Sequence, residues 1–368
     1  MKHLHHISLI AFLVFLGLYS NAQTSGYSLA DFYINNTELD RLTDSVFLTL
    51  SPKERVAQMI VTSAGELGKS DAVVRDLVEN NQIGGVVYLK GTPASHKKLI
   101  TELNTISKSN KSIPLINSMD AEPSLFNGRI KGTPKMIKTI DIKSVQQCDS
   151  VVKVIDKSLQ EIGIHQNFAP VVDISPNNEA IKNRSFGSHQ EAVIRLSKTF
   201  IKSTQEDNIV ATAKHFPGHG LVKGDTHKKS VYIDGKLQEL DTYIPLIESG
   251  VISIMVAHIT VRNNEMYTTH DLPASCSKVI VTDLLKNELG FKGIIITDAL
   301  NIMKAVTILD KAPLKASMAG CDMLLMPVNE VETIRWIQEE MNLNADYKKH
   351  VHQSVKKILR LKLCLNLI

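Results

Sequence analysis

The chain has 368 residues, of which 43% are hydrophobic, 5% aromatic and 22% charged, with a formal net charge of +4. Neither sign of charge forms long runs, which argues against a nucleic-acid partner or an anionic membrane surface. The length suffices for one large barrel or two ordinary domains. The four cysteines are far apart and show no metal-type spacing, so we expect neither a structural zinc site nor a disulfide framework: they are Cys148, Cys276, Cys321 and Cys364.

The first residues predict an export signal. A basic start precedes an apolar stretch from Ile7 to Tyr19, and Ser20-Asn21-Ala22 places small residues where a signal peptidase cleaves. The apolar stretch is short for a membrane span. We therefore predict a signal peptide over residues 1–22 and an exported protein, periplasmic or secreted, without a stable membrane anchor.

Downstream, residues 23–50 predict an N-terminal segment with a short helix, Leu39–Leu50, and residues 51–368 predict one domain that ends in a helix, Tyr347–Leu365. Within this domain, apolar runs alternate with segments of helical periodicity. The predicted strands are Val56–Ser63, Gly85–Leu89, Pro114–Met119, His165–Val172, Val210–Lys214, Ile252–His258, Gly293–Thr297 and Asp322–Met326. The clearest helices between them are Asp149–Ile162, Glu191–Ser203 and Ser277–Leu289.

The apolar runs are continuous and β-branched, as is typical of parallel strands that are covered on both faces. Eight such strands alternating with helices predict an α/β fold, a single-domain (β/α)8 TIM barrel. The alternative is an open, doubly wound sheet. No Gly-x-Gly-x-x-Gly follows any predicted strand, which argues against it.

Enzymes with this fold carry their catalytic groups at the C-terminal ends of the strands. The densest polar cluster runs from Lys214 to His227, directly after the fifth predicted strand. The candidate residues are Asp120, Glu122 and Arg129 after the third strand, Asp173 and Arg184 after the fourth, Lys214, His215, His219, Asp225 and His227 at the fifth, His258 at the sixth and Asp298 after the seventh. Glu122, Asp173, His219 and His258 also have purely structural interpretations.

Three reaction classes fit this set: glycosyl transfer with a carboxylate nucleophile, metal-assisted hydrolysis, and proton abstraction beside a carbonyl. The metal ligands would be His215, His219, Asp225, His227 and Asp298. The first strand supplies no His-x-His pair, so we expect no metal, and no organic cofactor is expected either. Glycosyl transfer needs an ionised carboxylate and a proton donor, roles that suit Asp298 and a histidine oriented by a carboxylate.

The segment Lys214-His-Phe-Pro-Gly-His-Gly220 resembles the signature of glycoside hydrolase family 3. Asp225-Thr-His227 resembles the Asp-Ser/Thr-His dyad of the β-N-acetylglucosaminidase branch of that family. Further similar motifs extend the resemblance from residue 50 to residue 360. They are Asn167–Asp173, Asn183–Gly187, Ile254–His258, Leu289–Leu300, Ala319–Pro327 and Ser354–Leu359.

The resemblance implies a role for each matching residue. Asp298 would be the nucleophile that forms a covalent glycosyl intermediate, His227 the general acid/base, and Asp225 its carboxylate partner. The residues that would bind the sugar are Lys214, His215, Arg184, Asp120 and Arg129. The glycines 218, 220 and 224 predict a flexible loop that brings His227 to the bound substrate.

The resemblance therefore implies a retaining exo-β-N-acetylglucosaminidase that acts on carbohydrate, with peptidoglycan fragments as the expected glycan. We expect the protein to be exported and monomeric. A β-glucosidase or β-xylosidase of the same family is an alternative, but its acid/base is typically a glutamate from elsewhere. A phosphorylase is another, because a histidine repels phosphate less than a carboxylate does. A catalytically silent glycan-binding barrel stays open because residues 121–128 depart from the Trp- or Gly-rich stretch usual in relatives.

Overall fold

The computed structural model describes residues 26–175, 178–222 and 231–368. Eight strands form one parallel sheet in the order β10-β1-β2-β3-β4-β5-β7-β9, and a bridge between Ile296 and Met323 brings its two edges together into a barrel. The strands are β1 (Ile60–Ala64), β2 (Gly85–Tyr88), β3 (Ile116–Met119), β4 (Gln166–Asn167), β5 (Val210–Phe216), β6 (Tyr232–Asp234), β7 (Ser253–Val256), β8 (Thr260–Arg262), β9 (Ile294–Thr297) and β10 (Leu324–Leu325). The predicted (β/α)8 barrel is confirmed.

Helices surround this sheet. They are α1 (Thr37–Thr49), α2 (Pro52–Ala57), α3 (Asp71–Glu79), α4 (Pro93–Ser109), α5 (Phe126–Arg129), α6 (Val145–Ile162), α7 (Gln190–Glu206), α8 (Leu240–Glu248), a π-helix (Val279–Glu288), α9 (Lys304–Thr307), α10 (Ala312–Ala319), α11 (Glu330–Leu343) and α12 (Ala345–Cys364). Short 3₁₀ turns lie at Leu29–Asp31, Thr139–Asp141 and Ala274–Cys276. Each helix predicted from periodicity is present, although the one near residue 280 has π geometry.

Two predicted strands differ most from the structure. The prediction that a strand begins at Val56 is wrong, because Ser51 and Glu54 form a capping box and Pro52 occupies the first turn, which starts α2 instead. The strand predicted over 165–172 shortens to Gln166–Asn167. Pro170 has no N–H to donate to a ladder, so the pairing beyond it is limited to one bridge from Val171.

The N-terminal end of the barrel is closed by the last helix. Lys362 of α12 is fully buried, and its Nζ donates to Gln58 Oε1 at 2.6 Å and to the carbonyls of Gly84 and Pro114 at 3.0 and 2.7 Å. These acceptors lie just before β1, β2 and β3. One buried amino group thus joins three strand beginnings to α12, at the end of the barrel opposite to the polar strand ends.

The two-stranded parallel sheet of β6 and β8 was not predicted. All four cysteines are buried and none is in a disulfide.

Within the described residues, no helix is both long and apolar enough to span a bilayer. The predicted signal peptide, residues 1–22, lies outside the described part of the chain and stays a prediction.

Candidate active site

A cavity of about 260 Å³ opens at the C-terminal ends of the barrel strands. Six residues that the sequence singles out line it together: Asp120, Arg129, Arg184, Lys214, His215 and Asp298. Apolar side chains form the rest of its wall, among them Leu67, Leu125, Met255, Ile302 and Met303. The parallel strands all end on this side, which is why residues as distant in the chain as Asp120 and Asp298 meet here.

The floor of the cavity is a buried ionic network centred on Glu122. Its carboxylate accepts two bonds from the Arg184 guanidinium, at 2.8 and 2.7 Å, and lies 2.6 Å from Lys214 Nζ. Glu122 is inaccessible to solvent. Burial alone would raise the pKa of Glu122, but Arg184 and Lys214 hold it well below its usual range. The network fixes both cations in one orientation before any ligand arrives.

Asp120 forms the second anionic point of the network. Its Oδ1 accepts from Lys214 Nζ at 2.8 Å and its Oδ2 from Arg129 at 3.2 Å. Asp120 directly follows β3, Lys214 lies in β5, and Arg129 ends α5. The Asp120 side chain is only partly buried, so its carboxylate and the two cations can also contact a ligand in the cavity.

Asp298 directly follows β9, and its backbone N–H donates to the carbonyl of Val256 in β7 at 3.0 Å. Its Oδ1 accepts from the N–H of Ala299 at 2.7 Å. Among the described residues, Asp298 takes part in no ion pair, in contrast to Asp120 and Glu122. Burial would raise the pKa of Asp298, but His215, His258, the Ala299 N–H and Lys214 together lower it, so this carboxylate is ionised at neutral pH.

His215 is held by a buried carboxylate. Asp173 Oδ2 lies 2.7 Å from His215 Nδ1, and Asp173 Oδ1 accepts from the backbone N–H groups of His215 and His219 at 3.3 and 2.8 Å. Burial would raise the pKa of Asp173, but the neighbouring His215 lowers it. An ionised Asp173 places a proton on Nδ1 of His215 and thereby fixes the ring orientation. Asp173 thus supports the site through His215.

His258 lies behind the nucleophile candidate rather than in the cavity. It is almost completely buried, with Nδ1 at 2.7 Å from the Ser275 hydroxyl and Nε2 at 3.2 Å from the carbonyl of Ala299. Burial lowers the pKa of His258. Its contact with Ala299, the residue after Asp298, indicates that it supports the backbone of this turn.

The turn after β5 is tightly packed. A Cβ on Gly218, whose φ is +126°, would lie 2.5–2.8 Å from side-chain atoms of Glu239, and one on Gly220 would lie 2.1 Å from the Ile174 carbonyl oxygen. Both positions therefore require glycine for lack of space. Gly224, Asp225 and His227 lie outside the described residues, so the flexible loop and the dyad stay predictions.

Comparisons with known proteins place the chain in a family. The model of the Glycosyl hydrolase family 3 N terminal domain matches residues 51–361. The chain belongs to glycoside hydrolase family 3. A Beta-hexosaminidase from Tolumonas auensis is 30% identical over 275 residues, which cover 69% of this chain and 78% of that protein.

Two further family 3 comparisons involve longer proteins. Beta-hexosaminidase A of Pseudoalteromonas piscicida is 26% identical over 328 residues, covering 78% of this chain and 54% of the relative, so the chain spans about half of that protein's length. The solved glycoside hydrolase family 3 beta-N-acetylglucosaminidase from Paenibacillus sp. str. FPU-7 superimposes with a TM-score of 0.78 at 27% identity, covering 86% of this chain and 63% of that one.

Two polar residues of this family 3 barrel were not predicted from the sequence. Glu239, just before α8, accepts from the backbone N–H groups of Ile174, Gly220 and Leu221. Asn178 donates to the carbonyls of His219 and Val222, both at 2.8 Å. Neither residue follows a predicted strand directly, so the strand-end rule could not select them. Burial, and next the charge of Asp173, raise the pKa of Glu239.

Proposed function

We propose that the chain is a retaining exo-β-N-acetylglucosaminidase that removes terminal β-linked N-acetylglucosamine from glycans. The observation that carries the proposal is the state of Asp298. This carboxylate has a lowered pKa and forms no ion pair with a described residue, yet it lines the same cavity as three cations, Lys214, Arg184 and Arg129. An ionised carboxylate at a strand end beside fixed sugar-binding groups suits nucleophilic attack on an anomeric carbon.

In the first step, the Asp298 carboxylate attacks the anomeric carbon and the bond from that carbon to the leaving oxygen breaks. His227 gives its proton to this oxygen, and Asp225 holds the imidazole in the required tautomer. In the second step, His227 takes a proton from water, the water oxygen attacks the anomeric carbon, and Asp298 leaves as a carboxylate. Two inversions retain the anomeric configuration.

Asp120, Lys214, Arg184 and Arg129 are proposed to bind the hydroxyl groups of the terminal sugar, and His215 to donate or accept at its Nε2. Support comes from the network that fixes these groups around one cavity. The proposal that the terminal sugar carries an N-acetyl group is supported by the similarity to two beta-hexosaminidases and a beta-N-acetylglucosaminidase. The Asp225-Thr-His227 sequence adds to this support.

We also propose that the protein is exported, monomeric and active on peptidoglycan fragments. The basis is the sequence of residues 1–22 and the resemblance to the β-N-acetylglucosaminidase branch.

The test offers the purified protein aryl β-N-acetylglucosaminide and aryl β-glucoside, with and without phosphate. We expect hydrolysis of the first substrate, with the β-anomer as the first product seen by NMR. Asp298→Asn and His227→Ala should each lower kcat by roughly 10²-fold or more. The exposed Asp310→Asn, twelve residues after Asp298, is the matched control and should keep wild-type activity.

Added azide distinguishes the nucleophile role of Asp298 from the acid/base role of His227. With Asp298→Ala, azide should attack from the vacated face and give the α-glycosyl azide. With His227→Ala, azide should replace water in the second step and give the β-glycosyl azide. Release of the aglycone by both Asp298 variants in the absence of azide would contradict the mechanism, and formation of a sugar 1-phosphate would show a phosphorylase. Binding of N-acetylglucosamine without any release would show a silent glycan-binding barrel.

A further inference from the structure

Glu239 lies just before α8 and has only 4% of its surface exposed. Its Oε1 accepts from the N–H of Ile174 at 2.7 Å, and its Oε2 from the N–H groups of Gly220 and Leu221 at 3.0 and 3.2 Å. The acceptors are on one side chain, while the donors come from the segment after β4 and the turn after β5. Glu239 therefore joins two loops at the mouth of the barrel.

The turn that Glu239 holds is tightly packed at two glycines. Gly218 packs against the Glu239 side chain and Gly220 against the Ile174 carbonyl. Both contacts are so close that no residue with a Cβ atom would fit at either glycine. The N–H of Gly218 donates to the carbonyl of His215 at 2.8 Å and closes the turn. These contacts allow the backbone N–H groups of 220 and 221 to converge on one carboxylate.

A second side chain holds the same turn from its carbonyl side. Asn178 Nδ2 donates to the carbonyls of His219 and Val222 at 2.8 Å each, while its Oδ1 accepts from the N–H groups of Ala180 and Ile181. The chain is thus bound through its N–H groups by Glu239 and through its carbonyls by Asn178. These contacts extend to Val222, three residues before Asp225 and five before His227.

We propose that Glu239 is a positioning residue for acid/base catalysis: by binding the N–H groups of Ile174, Gly220 and Leu221, it fixes the point from which the chain continues to Asp225 and His227. This assignment rests on the proposed function. A carboxyl group suits the task because both of its oxygens accept hydrogen bonds here. Glutamine has one oxygen and a donor NH₂, so Glu239→Gln must turn a donor toward at least one backbone N–H.

The test compares leaving groups. An N-acetylglucosamine disaccharide needs a proton on its departing oxygen, whereas 2,4-dinitrophenolate leaves without one. We expect Glu239→Gln to lower kcat/KM for the disaccharide by roughly 10²-fold, as for a misplaced general acid, and for the dinitrophenyl substrate by less than about tenfold. Azide should restore kcat on the dinitrophenyl substrate, because azide needs no general base.

Asp241→Asn is the matched control, since Asp241 is an exposed acid two residues further along in the first turn of α8. It should leave both kcat/KM values unchanged. Glu239→Asp keeps the carboxyl group but withdraws it by one methylene, and should show a smaller loss with the same bias toward the disaccharide. The burst of dinitrophenol counts folded active sites, so partial misfolding of either Glu239 variant is measured separately.

The results distinguish the two levels of the proposal. An equal loss on both substrates per folded site, or no loss, would overturn the positioning role of Glu239 and leave the proposed function standing. A wild-type protein that releases nothing from either substrate would overturn the proposed function and this assignment with it.

Discussion

Replacing Glu122 by glutamine should both destabilise the barrel and weaken sugar binding. The substitution keeps the shape of the side chain and removes its negative charge. Arg184 would lose the carboxylate that accepts both of its 2.7–2.8 Å bonds, while Lys214 would keep Asp120 at 2.8 Å. The charge left without compensation is therefore chiefly that of Arg184.

The size of the effect follows from burial. Glu122 is wholly inaccessible, and the side chains of Lys214 and Arg184 are 2% and 19% exposed. Removing one partner from a buried ion pair costs about 3–5 kcal/mol, and the bond that Lys214 keeps places the expectation near the lower end. For a domain of this size, about 3 kcal/mol lowers Tm by roughly 4 °C.

The assay is urea and thermal unfolding followed by circular dichroism, with KM for the aryl β-N-acetylglucosaminide measured alongside. Glu102→Gln is the control, because Glu102 accepts the same two-bond fork from Arg75 at 2.7 and 3.0 Å but is 40% exposed. Its loss should stay below about 1 kcal/mol. Equal losses for Glu122→Gln and Glu102→Gln would refute the argument that burial makes the Glu122 network strong.

Two further outcomes are expected. Burial and, to a smaller extent, the negative charge of Asp207 raise the pKa of Asp156 to about 8. From about pH 4 to about pH 8 the fold therefore keeps a proton that the unfolded chain releases, and the free energy of unfolding falls as pH rises. Asp156→Asn should remove this fall and be more stable than wild type at alkaline pH in urea titrations. Gly220→Ala should cost several kcal/mol of unfolding free energy because its Cβ meets the Ile174 carbonyl, whereas Gly128→Ala, with open space around it, should change little.

The barrel and the polar side of the cavity could be predicted because both depend on local sequence. A continuous apolar run such as Ile294–Thr297 is buried on both faces in parallel sheets, and the residue after it must lie at the C-terminal mouth. The pattern predicts Asp298 near Lys214, although β6, β7, β8 and β9 lie between the two residues in the chain. The direction of parallel strands is the only long-range information it needed.

Other features depend on partners far along the chain, and no local pattern shows them. Glu122 was considered as both functional and structural, and only its contacts with Arg184 and Lys214 decide that it supports the site. Glu239 looks like any polar residue before a helix until the turn at Gly220 is folded against it. At α2, the capping residues Ser51 and Glu54 start a helix that continues to Ala57, although the apolar pattern predicts a strand from Val56.

The charges of the cavity explain why one carboxylate remains available for chemistry. Three cations, Lys214, Arg184 and Arg129, are joined to two carboxylates, Asp120 and Glu122, which leaves one excess positive charge in the network. An ionised Asp298 balances that excess and forms no ion pair with a described residue, while His215, His258, the Ala299 N–H and Lys214 keep its pKa low. On the proposed mechanism, glycosylation consumes the negative charge of Asp298 and restores the excess. The network then favours the return of the carboxylate, and so supports the second step as well as the first.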